Sequence, residues 1–333
     1  MSIVSTRIVL ARRPQGWVTE DCFRLEATAL PALEDGQILV RNDVLSLDPY
    51  MRGRMNDAKS YAAKVEIGAT MIGGTVGVVV ESRNARFPVG ASVVGSLGWQ
   101  THANSDGREL QRIFAPDAPP SYALGVLGMP GATAWIGLFD IATPKSGETL
   151  VVSAAAGAVG SIVGQLGKQH GMRVVGIAGG SAKCRFVVDE LGFDACVDYK
   201  SEAFRNELVA ATPDGIDVDF ENVGGEVMDA IVARMNPFGR IALCGLVSQY
   251  NATAPIPFRN AALILIQRLR AQGFIVTDHL ARWPTALADL AARVRAGKLI
   301  VRETWADGLE NAPKAFLGML RGENVGKQLV RLA

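Results

Sequence analysis

Two hydrophobic rhythms follow one another along the chain. From Arg7 to about Phe114 the apolar positions come in short runs, Arg7-Ile8-Val9-Leu10, Gln37-Ile38-Leu39-Val40 and Gly77-Val78-Val79-Val80, broken by Gly, Pro, Asn and Asp. That is the punctuation of strands joined by turns. After Pro119-Pro120 the pattern changes: a helical stretch near Ala132 to Ile141 leads into apolar runs that alternate with amphipathic ones, which predicts a parallel sheet covered by helices. The expected strands are Thr149 to Ala154, Arg173 to Ala178, Ala195 to Asp198, Val218 to Asn222, Arg240 to Leu243 and Gly273 to Val276. Helices are expected at Ala158 to His170, Ala182 to Leu191, Glu202 to Ala211, Glu226 to Met235 and Ala261 to Arg270. Six such strands make a doubly wound sheet with right-handed crossovers, which places ligands beyond the carboxyl ends of the strands. A last helix, Pro284 to Ala296, precedes strand-like pieces at Leu299 to Thr304 and Gln328 to Leu332, so the tail is expected to rejoin the β-rich part. The fold class is α/β: a β-rich domain over residues 1–118, joined by 298–333, and a doubly wound domain over 119–297.

With 333 residues, 49% of them hydrophobic, the chain can bury a core in each domain. Its 34 Lys and Arg nearly cancel 33 Asp and Glu, so there is no field to grip nucleic acid or an anionic membrane, and neither partner is expected. The longest weakly charged stretch, Leu150 to Gly167, is interrupted by Gly, Ser and Gln and makes a poor membrane span. The amino terminus, with Arg7, Arg12 and Arg13, lacks the apolar core of a secretory signal, and a cytoplasmic location is expected. Cys22, Cys184, Cys196 and Cys244 are widely spaced, and none of His102, His170 and His279 lies at metal-ligand spacing from a Cys. No metal site is expected, and the cysteines read as small core residues.

The segment Val151-Val152-Ser153-Ala154-Ala155-Ala156-Gly157-Ala158-Val159-Gly160-Ser161 passes from an apolar strand through small residues into a helix, a variant of the dinucleotide fingerprint. Gly157 lets backbone approach a pyrophosphate. The helix opening at Ala158 and Val159 aims free N–H groups at that anion, and Gly160 permits close packing of helix on strand. Ala154 stands where the commonest form has its first glycine. At the end of the second strand, Val174-Val175-Gly176-Ile177-Ala178-Gly179-Gly180-Ser181-Ala182-Lys183 carries no carboxylate to accept bonds from ribose hydroxyls. Small residues leave room there for a phosphate that Lys183 can neutralise, which points to NADP(H). Two more loops, Asn222-Val223-Gly224-Gly225 and Cys244-Gly245-Leu246-Val247-Ser248-Gln249-Tyr250-Asn251, follow the fourth and fifth strands on the coenzyme side.

At this point the chain resembles, over nearly its whole length, the zinc-independent medium-chain dehydrogenases/reductases of the prostaglandin reductase, alkenal double-bond reductase and bacterial curcumin reductase group. The resemblance rests on Leu47-Asp48-Pro49-Tyr50-Met51-Arg52-Gly53-Arg54-Met55, Ala154 to Ser161, Asp198-Tyr199-Lys200, Glu221 to Gly225, Cys244-Gly245 with Tyr250-Asn251, and Gly322-Glu323-Asn324-Val325-Gly326-Lys327. It implies a GroES-like β-barrel beside a Rossmann domain, a homodimer, and NADPH-dependent reduction of the carbon–carbon double bond of an α,β-unsaturated ketone or aldehyde. By the same resemblance, Gly157 to Gly160 hold the pyrophosphate and Lys183 and Tyr199 the 2′-phosphate. Asn222, Cys244 to Tyr250, Phe274, Ile275, Val276 and Asn324 line the rest of the coenzyme site. Where zinc alcohol dehydrogenases carry Gly-His-Glu, this chain has Ile72-Gly73-Gly74. Hydride addition to the β-carbon of an enone makes an enolate that needs a hydrogen-bond donor; Tyr250 is a candidate for that, alone or with the ribose hydroxyl, or for simple aromatic packing over the coenzyme, and the proton is expected from Tyr250, the ribose or water. Ile266 stands where some relatives have a second Tyr. Tyr50 and Arg52 are candidates for the substrate side, or for simple packing. An NADPH-dependent quinone reductase and a nucleotide-binding protein without turnover are the competing readings.

Overall fold

A computed structural model describes residues 3–113, 115 and 117–332; Phe114, where the β-rich stretch is expected to end, lies outside the described residues. The chain forms two compact units, Met1–Gly125 with Glu303–Ala333, and Val126–Arg302. The sequence reading set these boundaries at 118 and 297. Leu124 packs with Val76 and Leu329 in the first unit. Ile300 exchanges two backbone bonds with the Gln165 side chain of the second, at 2.8 and 3.0 Å.

The first unit is built on a seven-stranded sheet. Its long strand Ile38–Ser46 pairs antiparallel with Thr75–Ser82, with His102–Ser105 and with the tail strand Lys327–Arg331. A separate hairpin joins Val4–Leu10 to Phe23–Ala29. The Trp99, Phe23 and Phe316 rings meet at 5.4 to 6.2 Å in the core. A strand expected over Leu299 to Thr304 is instead Glu303–Asp307: with Ile300 held by Gln165, pairing with Lys327–Arg331 begins only at Glu303.

The second unit holds a six-stranded, wholly parallel sheet. Its strands, numbered one to six in chain order, are Thr149–Ser153, Arg173–Ala178, Ala195–Asp198, Ile216–Glu221, Met235–Leu243 and Arg270–Gly273. They lie in the spatial order 3-2-1-4-5-6, the doubly wound order that opens a crevice beyond the carboxyl ends of strands one and four, where the strand order reverses. Strand one is buried along its whole length, as a continuous apolar run in such a sheet must be.

The departures from the sequence reading have physical causes. Strand six lies three residues earlier than expected because it is an edge strand with all four residues exposed; the apolar run Phe274 to Val276 lies past its end, with Phe274 and Val276 turned into the core. The helix expected to reach Arg270 ends at Ile266, and Arg268 then takes a φ of 50° to turn the chain back. The helix expected to reach Met235 stops at Val232, since Met235 already pairs with Ile216. The helix of the glycine turn begins at Gly160 rather than Ala158, because Gly157 N–H first closes a turn on the Ala154 carbonyl at 2.9 Å.

Candidate active site

The glycine turn follows directly from strand one. Ala154 adopts a φ of 51°, the left-handed backbone that glycine takes without strain, so the missing fingerprint glycine is absent in residue type but present in conformation. A Cβ on Gly160 would lie 2.4 Å from the Ala154 carbonyl oxygen, which makes glycine obligatory there. Further along the helix, Gly164 sits against the Phe193 ring, where a Cβ would meet the ring at 1.7 Å. This close seat aims the amino end of Gly160–Gln169 at the turn, a cradle that suits a pyrophosphate. Gly157, Ala158 and Val159 are half-buried in it.

Beside this turn, strand two ends at Gly179-Gly180. A Cβ on Gly179 would lie 2.9 Å from the Tyr199 ring, and Tyr199 is 41% exposed over that glycine. Gly180, with φ 96°, starts the short helix Ser181–Arg185 that carries the half-buried Lys183. Lys183 and Tyr199 are thus brought to the same glycine pair. Sequence reasoning missed what fixes that corner: Asp198 Oδ1 accepts the Gly180 N–H at 2.8 Å and the Lys200 N–H at 3.0 Å. The signal was present in the Asp198-Tyr199-Lys200 block, but only the fold shows that this carboxylate serves backbone donors.

At the carboxyl ends of strands four and five the two remaining loops interlock. Val247 N–H donates to the Asn222 carbonyl at 3.1 Å and Ser248 N–H to the Val223 carbonyl at 3.0 Å. Gly224 and Gly225, with φ of 76° and 58°, leave room for Leu246 and Ser248. A Cβ on Gly245 would stand 3.5 Å from the Tyr250 hydroxyl, so the phenol folds back over the end of strand five, beside Asn222. Cys244, Gly245, Leu246, Val247, Ser248, Gln249 and Tyr250 are all half-buried along this rim. Burial and the nearby Glu221 carboxyl push the Cys244 thiol up to about 12, which keeps it protonated at neutral pH and a poor nucleophile. Of the three residues after strand six, Ile275 is half-buried, whereas the Phe274 ring packs on Phe220 at 6.3 Å and Val276 is buried. Phe274 therefore contributes a core ring.

Tyr50, Arg52 and Asn324 belong to the first unit. Tyr50 opens the short helix Tyr50–Arg54, with the Arg54 guanidinium 5.9 Å from its ring centroid, and burial raises its phenol pKa. Arg52 is buried; it donates to the Gly16 carbonyl at 2.8 Å and to Asn56 Oδ1 at 2.5 Å. Asn324 is half-buried and donates to the Gly326 carbonyl at 2.8 Å.

Two family models match the chain, one described as the N-terminal domain of oxidoreductase over residues 6–113 and one as zinc-binding dehydrogenase over residues 158–293. The donor set does not fit the zinc of the second description: among the described residues no three His, Cys, Asp or Glu side chains are grouped so that they could hold a metal ion. The chain is 48% identical to an NADPH-dependent curcumin reductase of Escherichia coli K12, across 98% of this chain and 96% of the relative. It is 41% identical to an NADP(+)-dependent 2-alkenal reductase of Nicotiana tabacum, across 89% and 87%. Among solved structures, the CurA of Vibrio vulnificus in complex with NADPH superposes with a TM-score of 0.95 at 50% identity, covering 98% of this chain and 99% of that one. The chain therefore belongs to the curcumin reductase and 2-alkenal reductase family of medium-chain dehydrogenases/reductases.

Proposed function

We propose that the protein reduces the carbon–carbon double bond of α,β-unsaturated ketones and aldehydes with NADPH. One observation carries the coenzyme part: Gly160 packs so closely on the Ala154 carbonyl that no side chain fits between them, which seats the helix amino end on the turn at the crevice of a doubly wound sheet. In this reading Gly157, Ala158, Val159 and Gly160 hold the pyrophosphate and Lys183 with Tyr199 the 2′-phosphate. Asn222, the Cys244–Tyr250 rim, Ile275 and Asn324 hold the remainder, with Phe274 and Val276 packed behind Ile275 in the core, and Tyr50 with Arg52 serve the substrate. The relatives named for curcumin and for 2-alkenals support the substrate class.

The bound coenzyme supplies a hydride. The protein's own part is to orient, to keep water out and to manage a proton. Addition at the β-carbon leaves negative charge on the substrate oxygen. The Tyr250 hydroxyl, held at the rim beside Asn222, donates a hydrogen bond to that oxygen. The α-carbon then takes its proton from Tyr250, a ribose hydroxyl or water.

The direct test is turnover of a panel of enals, enones and quinones with NADPH and NADH compared, and identification of the product. A saturated carbonyl product with NADPH preferred is the expected result. Reduction of quinones alone would favour a quinone reductase, and tight NADPH binding without turnover would favour a non-catalytic nucleotide-binding protein. A homodimer is part of the proposal, supported by the exposed edge strand Arg270–Gly273 and by Leu265 and Ile266, 80% and 57% exposed just before it. Sedimentation as a monomer at micromolar concentration would sink that part. A cytoplasmic location is supported by four cysteines that are all free.

A further inference from the structure

Ser153 ends strand one and Glu221 ends strand four, and neither has a role in the reading above. Their side chains nevertheless close a ring of hydrogen bonds between the phosphate-binding turn and the Asn222 loop. The Ser153 hydroxyl donates to Glu221 Oε1 at 2.6 Å and accepts the Asn222 N–H at 2.7 Å. Asn222 Nδ2 donates back to the Ser153 carbonyl at 2.8 Å. The same Oε1 also accepts the backbone N–H groups of Val223 and Gly224, the latter at 2.9 Å, so one carboxyl oxygen organises the whole turn into the helix Gly225–Val232.

Stability does not account for this arrangement. Glu221 and Ser153 are fully buried, and Glu221 Oε2 is buried without a hydrogen-bond partner. A carboxyl group taken out of water and left half satisfied is costly, and an apolar side chain of similar size would be cheaper there. What the ring provides is geometric: it fixes Asn222, by both its backbone and its amide, to the residue immediately before Ala154. We propose that Glu221 and Ser153 are positioning residues which lock the Asn222 loop to the phosphate turn, so that the two ends of the coenzyme are bound in fixed register for hydride transfer. The inference rests on the NADPH reading above.

The test compares Ser153→Ala, Glu221→Leu and Glu221→Gln in the full-length protein. A misplaced reacting centre costs rate more than binding, so Ser153→Ala and Glu221→Leu should lower kcat on the order of tenfold to a hundredfold. The primary isotope effect with deuterated NADPH should rise as hydride transfer becomes slower than product release. Affinity for adenosine 2′,5′-bisphosphate, which probes only the far half of the coenzyme, should stay unchanged by calorimetry. Glu221→Gln keeps an acceptor at Oε1 and should recover most of the rate. Wild-type kcat and isotope effect in Ser153→Ala would overturn the proposal, as would a parallel loss of bisphosphate affinity and rate in both Ser153→Ala and Glu221→Leu, the mark of a merely structural role. Failure of the wild-type protein to bind the bisphosphate would instead remove the NADPH reading itself.

Discussion

Lys327 Nζ lies 2.6 Å from Asp48 Oδ1 with both side chains more than nine-tenths buried, joining the last of the six sequence blocks to the first. Lys327 also donates to the Leu47 carbonyl at 2.8 Å, and the Ser46 hydroxyl donates to Asp48. Two charges this deep hold each other in place, and each becomes a liability alone. Lys327→Met is therefore expected to cost about 3–5 kcal/mol, read by urea unfolding. The double variant with Asp48→Leu should recover part of that loss. A single variant as stable as wild type would show that the pair is not electrostatically coupled.

Lys183 tests coenzyme selection. Lys183→Ala removes a cation from the Gly179-Gly180 corner, and the expected outcome is a rise in KM for NADPH far larger than for NADH. Equal effects on the two coenzymes in steady-state kinetics would discard the phosphate role.

Tyr250→Phe keeps the ring over Gly245 and removes only the donor. If the hydroxyl stabilises the enolate oxygen, kcat should fall on the order of a hundredfold with little change in NADPH affinity. An unchanged kcat would leave the ribose hydroxyl or water as the donor.

Asp219 is fully buried, both its carboxyl oxygens lack partners, and its strand neighbours are Val151 and Ile241. Burial first, and then the adjacent Glu221, raise its pKa well above the ordinary carboxylate range. The folded state thus holds the proton more tightly than the unfolded chain. The stability that this proton supports is complete below the unfolded pKa, near 4, and is lost progressively as pH rises through the folded pKa. Asp219→Val should stabilise the protein by about 1–3 kcal/mol at neutral pH and flatten the decline above pH ~4. Denaturant midpoints measured across pH check both, and a destabilised variant would mean that the carboxyl has a partner in solution.

Ala154 and Gly160 make opposite predictions about one contact. Ala154→Gly relieves a left-handed alanine and should change stability by no more than about 1 kcal/mol, with NADPH binding retained. Gly160→Ala drives a methyl into the Ala154 carbonyl and should abolish NADPH binding, measured by quenching of intrinsic fluorescence.

The sequence by itself determined the α/β class, the places of five of the six parallel strands, the glycine turn after the first of them and the likeness to double-bond reductases. Strand Arg173–Ala178 was legible to the residue, because a buried parallel strand is apolar along its length and Gly179-Gly180 mark its end. Strand Arg270–Gly273 was not, because an exposed edge strand carries no apolar pattern to read. Tertiary structure alone decided that Ala154 does the work of a glycine and that Asp198 caps the Gly180 corner. It alone decided, too, that Glu221 and Ser153, 68 residues apart, share a hydrogen bond. Periodicity and spacing report which face a residue turns inward, whereas a hydrogen bond between the ends of two strands exists only once strand order and register bring those ends together.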